Sequence, residues 1–423
     1  MTGPQLSIAF FLQMFVILVA CRLVGGLARK LGQPQVVGEM VAGVFLGPSL
    51  FGLISPSFQR FLFPPDSLKL LYVAAQLGIG LYMFLVGVEF DIAMFRQRAR
   101  SAAVISAAGM LVPLVLGGFL ALGLRQIPGM FPEKAGVYES MLFLGAALSI
   151  TAFPMLARII YERGLTGTGL GTLVLSAGAI GDTGAWCVLA MVLASFGAGP
   201  LLAMKAIIGG TLFTVAILTI GRKLLARLET KAKAAGGVTP ALLGITLAIL
   251  MLSVWITDSI GVHAVFGGFL LGVAIPRGTF SRELPKHLEP FTVVFLLPMF
   301  FTFSGLNTRL DVVSSPQMLL VAAAVILTAC LGKGGACWAA ARLRGEDNRT
   351  ALAVGTLMNA RGMMELILIN IGLQYGIIQE GLFSVLVLMT IVTTLMASPV
   401  FEWVYGRHAR KAHVLPATSA LEA

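Results

Sequence analysis

Residues 168–196 read TGLGTLVLSAGAIGDTGAWCVLAMVLASF, and Asp182 is the single charged residue in that stretch. A helix of this length crosses a hydrocarbon core of about 30 Å with some tilt. An ionisable group at its middle costs about 2.5–3.5 kcal/mol on insertion scales, so it faces a cavity, a partner or an ion pathway. A carboxylate silently paired with a neighbouring helix meets the same requirement, and the stretch alone does not separate the two.

The rest of the chain has the same character. It is 57% hydrophobic and only 12% charged, with mean hydropathy +0.93, whereas soluble domains are about 25% charged. A soluble core cannot bury so much apolar surface, so lipid must cover much of it. The net charge of +11 is scattered over short loops, which argues against nucleic acid and for the positive-inside rule. Cys21, Cys187, Cys330 and Cys337 all fall in apolar segments without a CxxC pair, so neither a disulfide framework nor a zinc site is expected. The histidines are dispersed, with His408 and His413 on the polar tail. No HExxH, GxSxG or cofactor motif is present, and the reading is of a non-enzyme without a cofactor.

Apolar stretches and turn signals predict an all-α polytopic membrane protein of thirteen spans, near 5–25, 35–53, 68–90, 101–124, 137–160, 168–196, 201–224, 238–257, 262–276, 288–306, 317–342, 350–374 and 381–405. The N-terminus lacks a secretory signal, because Arg22, Arg29 and Lys30 follow the first apolar segment. Thirteen spans put the termini on opposite sides. With the N-terminus outside, cytoplasmic loops carry 21 Lys or Arg, against 6 on the other side (Arg60, Lys69, Arg125, Lys134, Lys205, Arg309). That asymmetry predicts N-terminus out and C-terminus in, in a bacterial-type cytoplasmic membrane. The polar stretch 228–239 separates seven spans from six, and the basic tail 406–423 is too short for a soluble domain. Transport, on this reading, draws on an ion gradient.

Four features converge at similar depth: Asp182; Lys333 in TACLGKGGACWAA; SITAFPML, where Thr151 and Pro154 interrupt the fifth span; and MNARGMMELI in the twelfth, with Asn359, Arg361, Gly362 and Glu365. Proline removes a donor and disfavours helical geometry before it, so carbonyls near Ile150 and Thr151 are freed into the core; an ordinary proline kink is the bland alternative. Arg361 and Glu365, four apart, either pair structurally or serve a site. Interrupted helices in corresponding halves point to an inverted-repeat transporter with a midplane site, where Lys333 and Arg361 would offset the negative half-helix ends. Glu39 is expected near the cytoplasmic surface, either recruiting cations into a funnel or simply solvated at a helix end; Glu89 and Asp91 are expected to be solvated at the end of the third span. Gly43, Gly47, Gly178 and Gly181 are expected to allow close helix packing.

QPQVVGEMVAGVFLGPSLFG, MFLVGVEFD, SITAFPMLARIIYERG, GVHAVFGGFLLGVAIPR, LPMFFTFSGLNTRL and MNARGMMELILINIGL resemble, in order and spacing, the monovalent cation:proton antiporter-2 family, which includes Kef-type and plant and fungal cation/H⁺ exchangers. The resemblance covers about residues 30–405. It implies a homodimer, with a core domain (about 101–196 and 317–405), dimerisation or scaffold helices (about 5–90 and 238–306) and a linker helix (about 201–224). It implies two crossing broken helices, the fifth and twelfth spans. By the same resemblance Asp182 binds the cation or proton, Thr151 helps to coordinate the ion, and Lys333 pairs with the first residue of an acidic pair. Here that first residue is Gly181, which offers neither charge nor amide. Lys333 must then pair with Asp182, find another acid or lose its proton.

One carboxylate holds either a proton or a dehydrated Na⁺ or K⁺, which predicts an electroneutral one-for-one exchange by alternating access, serving pH homeostasis. A sodium-coupled organic-solute symporter and a Kef-type potassium efflux pathway remain the alternatives. The sequence does not choose the cation.

Overall fold

The structure, a computed structural model, describes residues 2–48, 50–90, 92–193, 200–261, 264–306, 315–362, 365, 368–369, 372–373 and 375–411. Asp91, Arg309, His413 and the tail beyond residue 411 lie outside the described residues. The described chain is helical without a strand. Its helices are α1 (Gly3–Lys30), α2 (Gln35–Leu46), α3 (Phe51–Ile54), α4 (Pro56–Leu62), α5 (Pro65–Glu89), α6 (Ile92–Leu124), α7 (Val137–Ser149), α8 (Phe153–Glu162), α9 (Gly169–Leu193) and α10 (Pro200–Ala216). They continue with α11 (Arg222–Ala235), α12 (Pro240–Ser259), α13 (Ala264–Ala274), α14 (Thr279–Phe291), α15 (Leu297–Leu306), α16 (Pro316–Ala329), α17 (Ala336–Leu343), α18 (Asn348–Leu357), α19 (Glu380–Phe401) and α20 (Arg407–Lys411).

Each of the thirteen predicted stretches contains helix among its described residues. Eight helical runs among the described residues are long and apolar enough to cross a membrane, and Val137–Ser149, Gly169–Asp182 and Ala264–Ala274 are shorter apolar helices. Helix starts follow local chemistry. Pro240 and Pro316 sit in first turns where a missing N–H costs nothing, behind Thr239 and Ser315, whose hydroxyls accept from Leu242 N at 3.3 Å and Met318 N at 3.2 Å.

Boundaries differ where polar residues continue a helix. The stretch 228–239 is only partly a break: α11 runs on to Ala235 and stops at Gly236, whose φ of 74° closes the turn. Leu225, Leu228 and Ala232 are buried on its apolar face, so packing carries the helix past the end of the hydropathy signal. Likewise α6 starts at Ile92 rather than 101, and α14 prepends an amphipathic turn from Thr279 to the tenth span. The second span ends early, at Leu46.

Two apolar clusters divide the interior. One gathers α7, α8, α9, α16, α18 and α19 with parts of α2, α5 and α13. The other gathers α1, α5, α11, α14 and α15. Glycines set the closest approaches. A Cβ at Gly43 would meet Thr302 Cα at 2.7 Å, and one at Gly117 would meet Gly145 Cα at 2.8 Å, so these backbones touch as small-residue membrane packing requires.

Candidate functional site

The fifth span is two helices, not one kinked helix. α7 ends at Ser149, Ile150–Ala152 are extended, and α8 starts at Phe153 with Pro154 in its first turn. The twelfth span breaks likewise: α18 ends at Leu357 and residues 360–362 are non-helical, before helix resumes around Glu365, 368–369 and 372–373. The two breaks meet. Ala152 N donates to Ala360 O at 3.2 Å, and Thr151 Oγ1 approaches Met358 O at 3.5 Å. A Cβ at Gly362 would lie 3.2 Å from Ala152 Cβ, so glycine there keeps the crossing tight.

A helix that stops inside the core leaves carbonyls that need donors. Two buried cations supply them for α7. Arg361 Nη1 donates to Ala147 O at 3.0 Å and Nη2 to Leu148 O at 2.8 Å, with Ile150 O at 3.5 Å from Nη1. Lys333 Nζ donates to Ser149 O and, at 3.0 Å, to Gly109 O of α6. Lys333 sits on a π-helical turn, Cys330–Gly335, an irregularity that recurs at functional sites. Both cations thus lie at the C-terminal end of α7, the negative end of a helix dipole, and Lys333 spends its hydrogen bonds on carbonyls.

Arg361 also pairs with Glu365 Oε1 at 3.1 Å, both side chains being fully buried. Its backbone exchanges hydrogen bonds with Thr394 Oγ1 of α19 (3.2 Å from N, 3.0 Å to O). Asn359 Nδ2 donates to Gly355 O at 3.2 Å and Cys330 O at 3.4 Å, so this amide fastens the second break to the Lys333 helix.

Asp182 lies on α9 and is 1% exposed. Four residues earlier on the same face, a Cβ at Gly178 would meet Leu156 Cδ2 at 2.8 Å and Phe153 Cδ2 at 3.3 Å. α9 and α8 run antiparallel here, so a step of about 6 Å along α9 carries Asp182 from the first turn of α8 to the level of the extended segment. The positive end of α8 points the same way, which favours an anion at that place.

Glu39 is a correction. It is fully buried, taking a hydrogen bond from Gln35 Nε2 at 2.9 Å, and is not a solvated helix-end carboxylate. Arg158 and Glu162 of α8 close over that end of α2. Glu162 accepts from Gln35 N at 2.5 Å and Val36 N at 3.3 Å, capping α2, and pairs with Arg158 Nε at 2.7 Å. Among the acids that line open space are Glu89, Glu162 and Glu289. Three cavities of about 40, 410 and 710 Å³ share Tyr161 and Thr166, and Glu89 lines the first and last. The first and last lie where α5 and α14 meet the end of α8, and the second where the α1–α2 connection meets that end. Sequence reasoning left out the capping role of Glu162 and the tie from Tyr161 Oη to Glu289; the i,i+4 spacing of Arg158 and Glu162 was the available signal.

Comparison with known proteins completes the picture. Residues 15–405 match the family described as sodium/hydrogen exchanger, transmembrane. The chain is 38% identical over 401 residues to the Na⁺/H⁺ antiporter NhaS4 of Synechocystis, spanning 92% of this chain and 95% of that protein. It is 36% identical over 409 residues to Cation/H⁺ antiporter 17 of Arabidopsis thaliana, spanning 95% of this chain but 49% of that one. The fold is shared with the sodium proton antiporter MjNhaP1 from Methanocaldococcus jannaschii, at a TM-score of 0.59 and 17% identity over 94% of this chain and 97% of that one.

Proposed function

The chain belongs to the sodium/hydrogen exchanger family, and from that premise we propose that it exchanges Na⁺ or K⁺ for H⁺ across a membrane, with Asp182 as the single carrier carboxylate. The observation that carries this reading is the burial of Asp182 on α9, which packs against the start of α8, where the carbonyls that end α7 are already taken by Lys333 and Arg361. The buried charges Arg361 and Glu365 cancel. Asp182 therefore takes on one positive charge at a time, as H⁺ or as a metal cation, and the two compete. Thr151, at the break, offers the cation a hydroxyl. Exchange is obligatory if only the occupied core crosses between inward and outward states. The cycle then moves no net charge.

On this reading α6 to α9 and α16 to α19 form the moving core, α1 to α5 and α12 to α15 the scaffold and dimer face, and α10 the linker. The cavities around Tyr161 and Thr166 are the cytoplasmic funnel, and the N-terminus lies outside.

The experiment is proton flux in proteoliposomes challenged with Na⁺, K⁺, Li⁺ and Rb⁺, with and without a clamped membrane potential. Flux independent of potential supports one-for-one exchange. Dependence on potential removes electroneutrality and brings Glu365 forward as a second titrating group. Asp182→Asn is expected to abolish exchange while retaining the fold; normal exchange by that variant sinks the scheme.

A further inference from the structure

α6 and α9 run side by side, and two glycines of α9 face α6. A Cβ at Gly184 would collide with the end of the Met110 side chain, at 2.6 Å from Cε. A Cβ at Gly181 would instead meet Ser106 Oγ, at 3.2 Å. So at the level of Asp182 the neighbour across the gap is a hydroxyl, and Gly181 leaves room for it.

That hydroxyl is unusual. Ser106 is 1% exposed, yet its Oγ has no hydrogen-bond partner among the described residues. Buried helical hydroxyls elsewhere in the molecule return their proton to the carbonyl four residues back, as Ser176, Thr246 and Thr390 do at 2.6, 2.7 and 2.9 Å. Ser106 does not. A buried polar group left unpaired costs about 1–3 kcal/mol, and such an exception calls for an explanation such as an ion. Three residues further along α6, Gly109 O takes its bond from Lys333 Nζ. Ser106 therefore stands near the depth of the α7 break, against Gly181, the residue that precedes Asp182 on α9.

We propose that Ser106 is a ligand of the transported cation, its hydroxyl oxygen reaching the ion held at Asp182 through the space that Gly181 leaves open. The proposal deepens the antiport reading and rests on it. A monovalent cation stripped of water needs several oxygen donors at once, whereas a proton on Asp182 needs one. The Ser106 oxygen thus weighs on the metal side of the competition and little on the proton side.

The test is Ser106→Ala in this chain, reconstituted in proteoliposomes, with initial rates measured against Na⁺ and against K⁺ at fixed pH. The cation KM is expected to rise about tenfold, the size of one contact of hydrogen-bond strength, with kcat changed less and the Na⁺ to K⁺ preference altered. The Tm is expected to hold or rise, because a buried unpaired hydroxyl has been removed. Adding Gly181→Asn to Ser106→Ala puts an amide oxygen in the same space and is expected to recover most of the cation affinity. Unchanged KM and cation preference in Ser106→Ala, with transport intact, would overturn the assignment and leave the antiport reading standing. Loss of affinity that the double variant does not recover, accompanied by a lower Tm, makes Ser106 a packing residue and also overturns it. Absence of cation-driven proton flux in the unmodified protein removes the antiport reading itself, and the ligand role with it.

Discussion

Arg361 does several things with one fork. It pairs with Glu365 and donates to carbonyls at the end of α7 while fully buried. Its removal strands an acid and uncaps a helix together. Arg361→Met is expected to destabilise by about 3–5 kcal/mol, the usual result of breaking one partner out of a buried pair. Adding Glu365→Met removes the stranded acid, so the double variant should be more stable than Arg361→Met alone. Thermal unfolding of the detergent-solubilised proteins measures both, and additive effects of the two substitutions would refute the coupling. Arg361→Lys keeps the charge but not the planar fork that reaches Ala147, Leu148 and Glu365 together. It is expected to lose stability nearly as far as Arg361→Met does.

At the scale of elements, helix ends carry their own chemistry. Asp347 caps α18, accepting from Arg349 N at 2.9 Å and Thr350 N at 3.2 Å. The hydrogen bonds with Thr350 hold its carboxyl below the usual carboxylate range. Because the folded pKa is depressed, the contribution is present above the unfolded value of about 3.9 and is lost as pH falls through the folded value. Asp347→Ala should therefore cost about 0.5–1 kcal/mol at neutral pH, and its Tm should converge on that of the unmodified protein in acid. A constant gap from pH 7 to pH 3 would contradict the cap. Such ends were partly legible in the sequence, since Asp347, Thr239 and Ser315 each precede a helical run. The breaks were legible too: Pro154 announces one, and Asn359 with Gly362 the other. What the sequence does not carry is which break each cation serves. Lys333 and Arg361 find the α7 carbonyls only because α16 and α18 fold back on it, and no local signal distinguishes that from a pairing with Asp182. Glu39 was misplaced for a related reason. Hydropathy puts it near a helix start, and only the packing of α8 over α2 buries it.

Across the whole molecule, α8 is tied to the opposite body near the Tyr161 end. Tyr161 Oη bonds Glu289 of α14, and Glu162 caps α2. If the core moves against the scaffold, these ties must open in each cycle, so they bias the population toward the state in which they are formed. Tyr161→Phe deletes one of them at small cost to packing. A half-exposed hydrogen bond is worth about 0.5–1 kcal/mol, so the ratio of this state to the other should fall about two- to fivefold. Thr166 lines all three cavities and reports that population directly. Cys21 and Cys337 are buried and Cys330 is partly buried, so labelling of a cysteine at position 166 is read against the background of the protein that keeps Thr166. Thr166→Cys should react with a membrane-impermeant maleimide from the cytoplasmic side, and adding Tyr161→Phe should slow that labelling, by at most about two- to fivefold. Labelling from the outer side alone would invert the topology inferred from the basic loops. Labelling from the cytoplasmic side at a rate indifferent to Tyr161 would keep the topology and show that the Tyr161–Glu289 tie does not restrain the moving body.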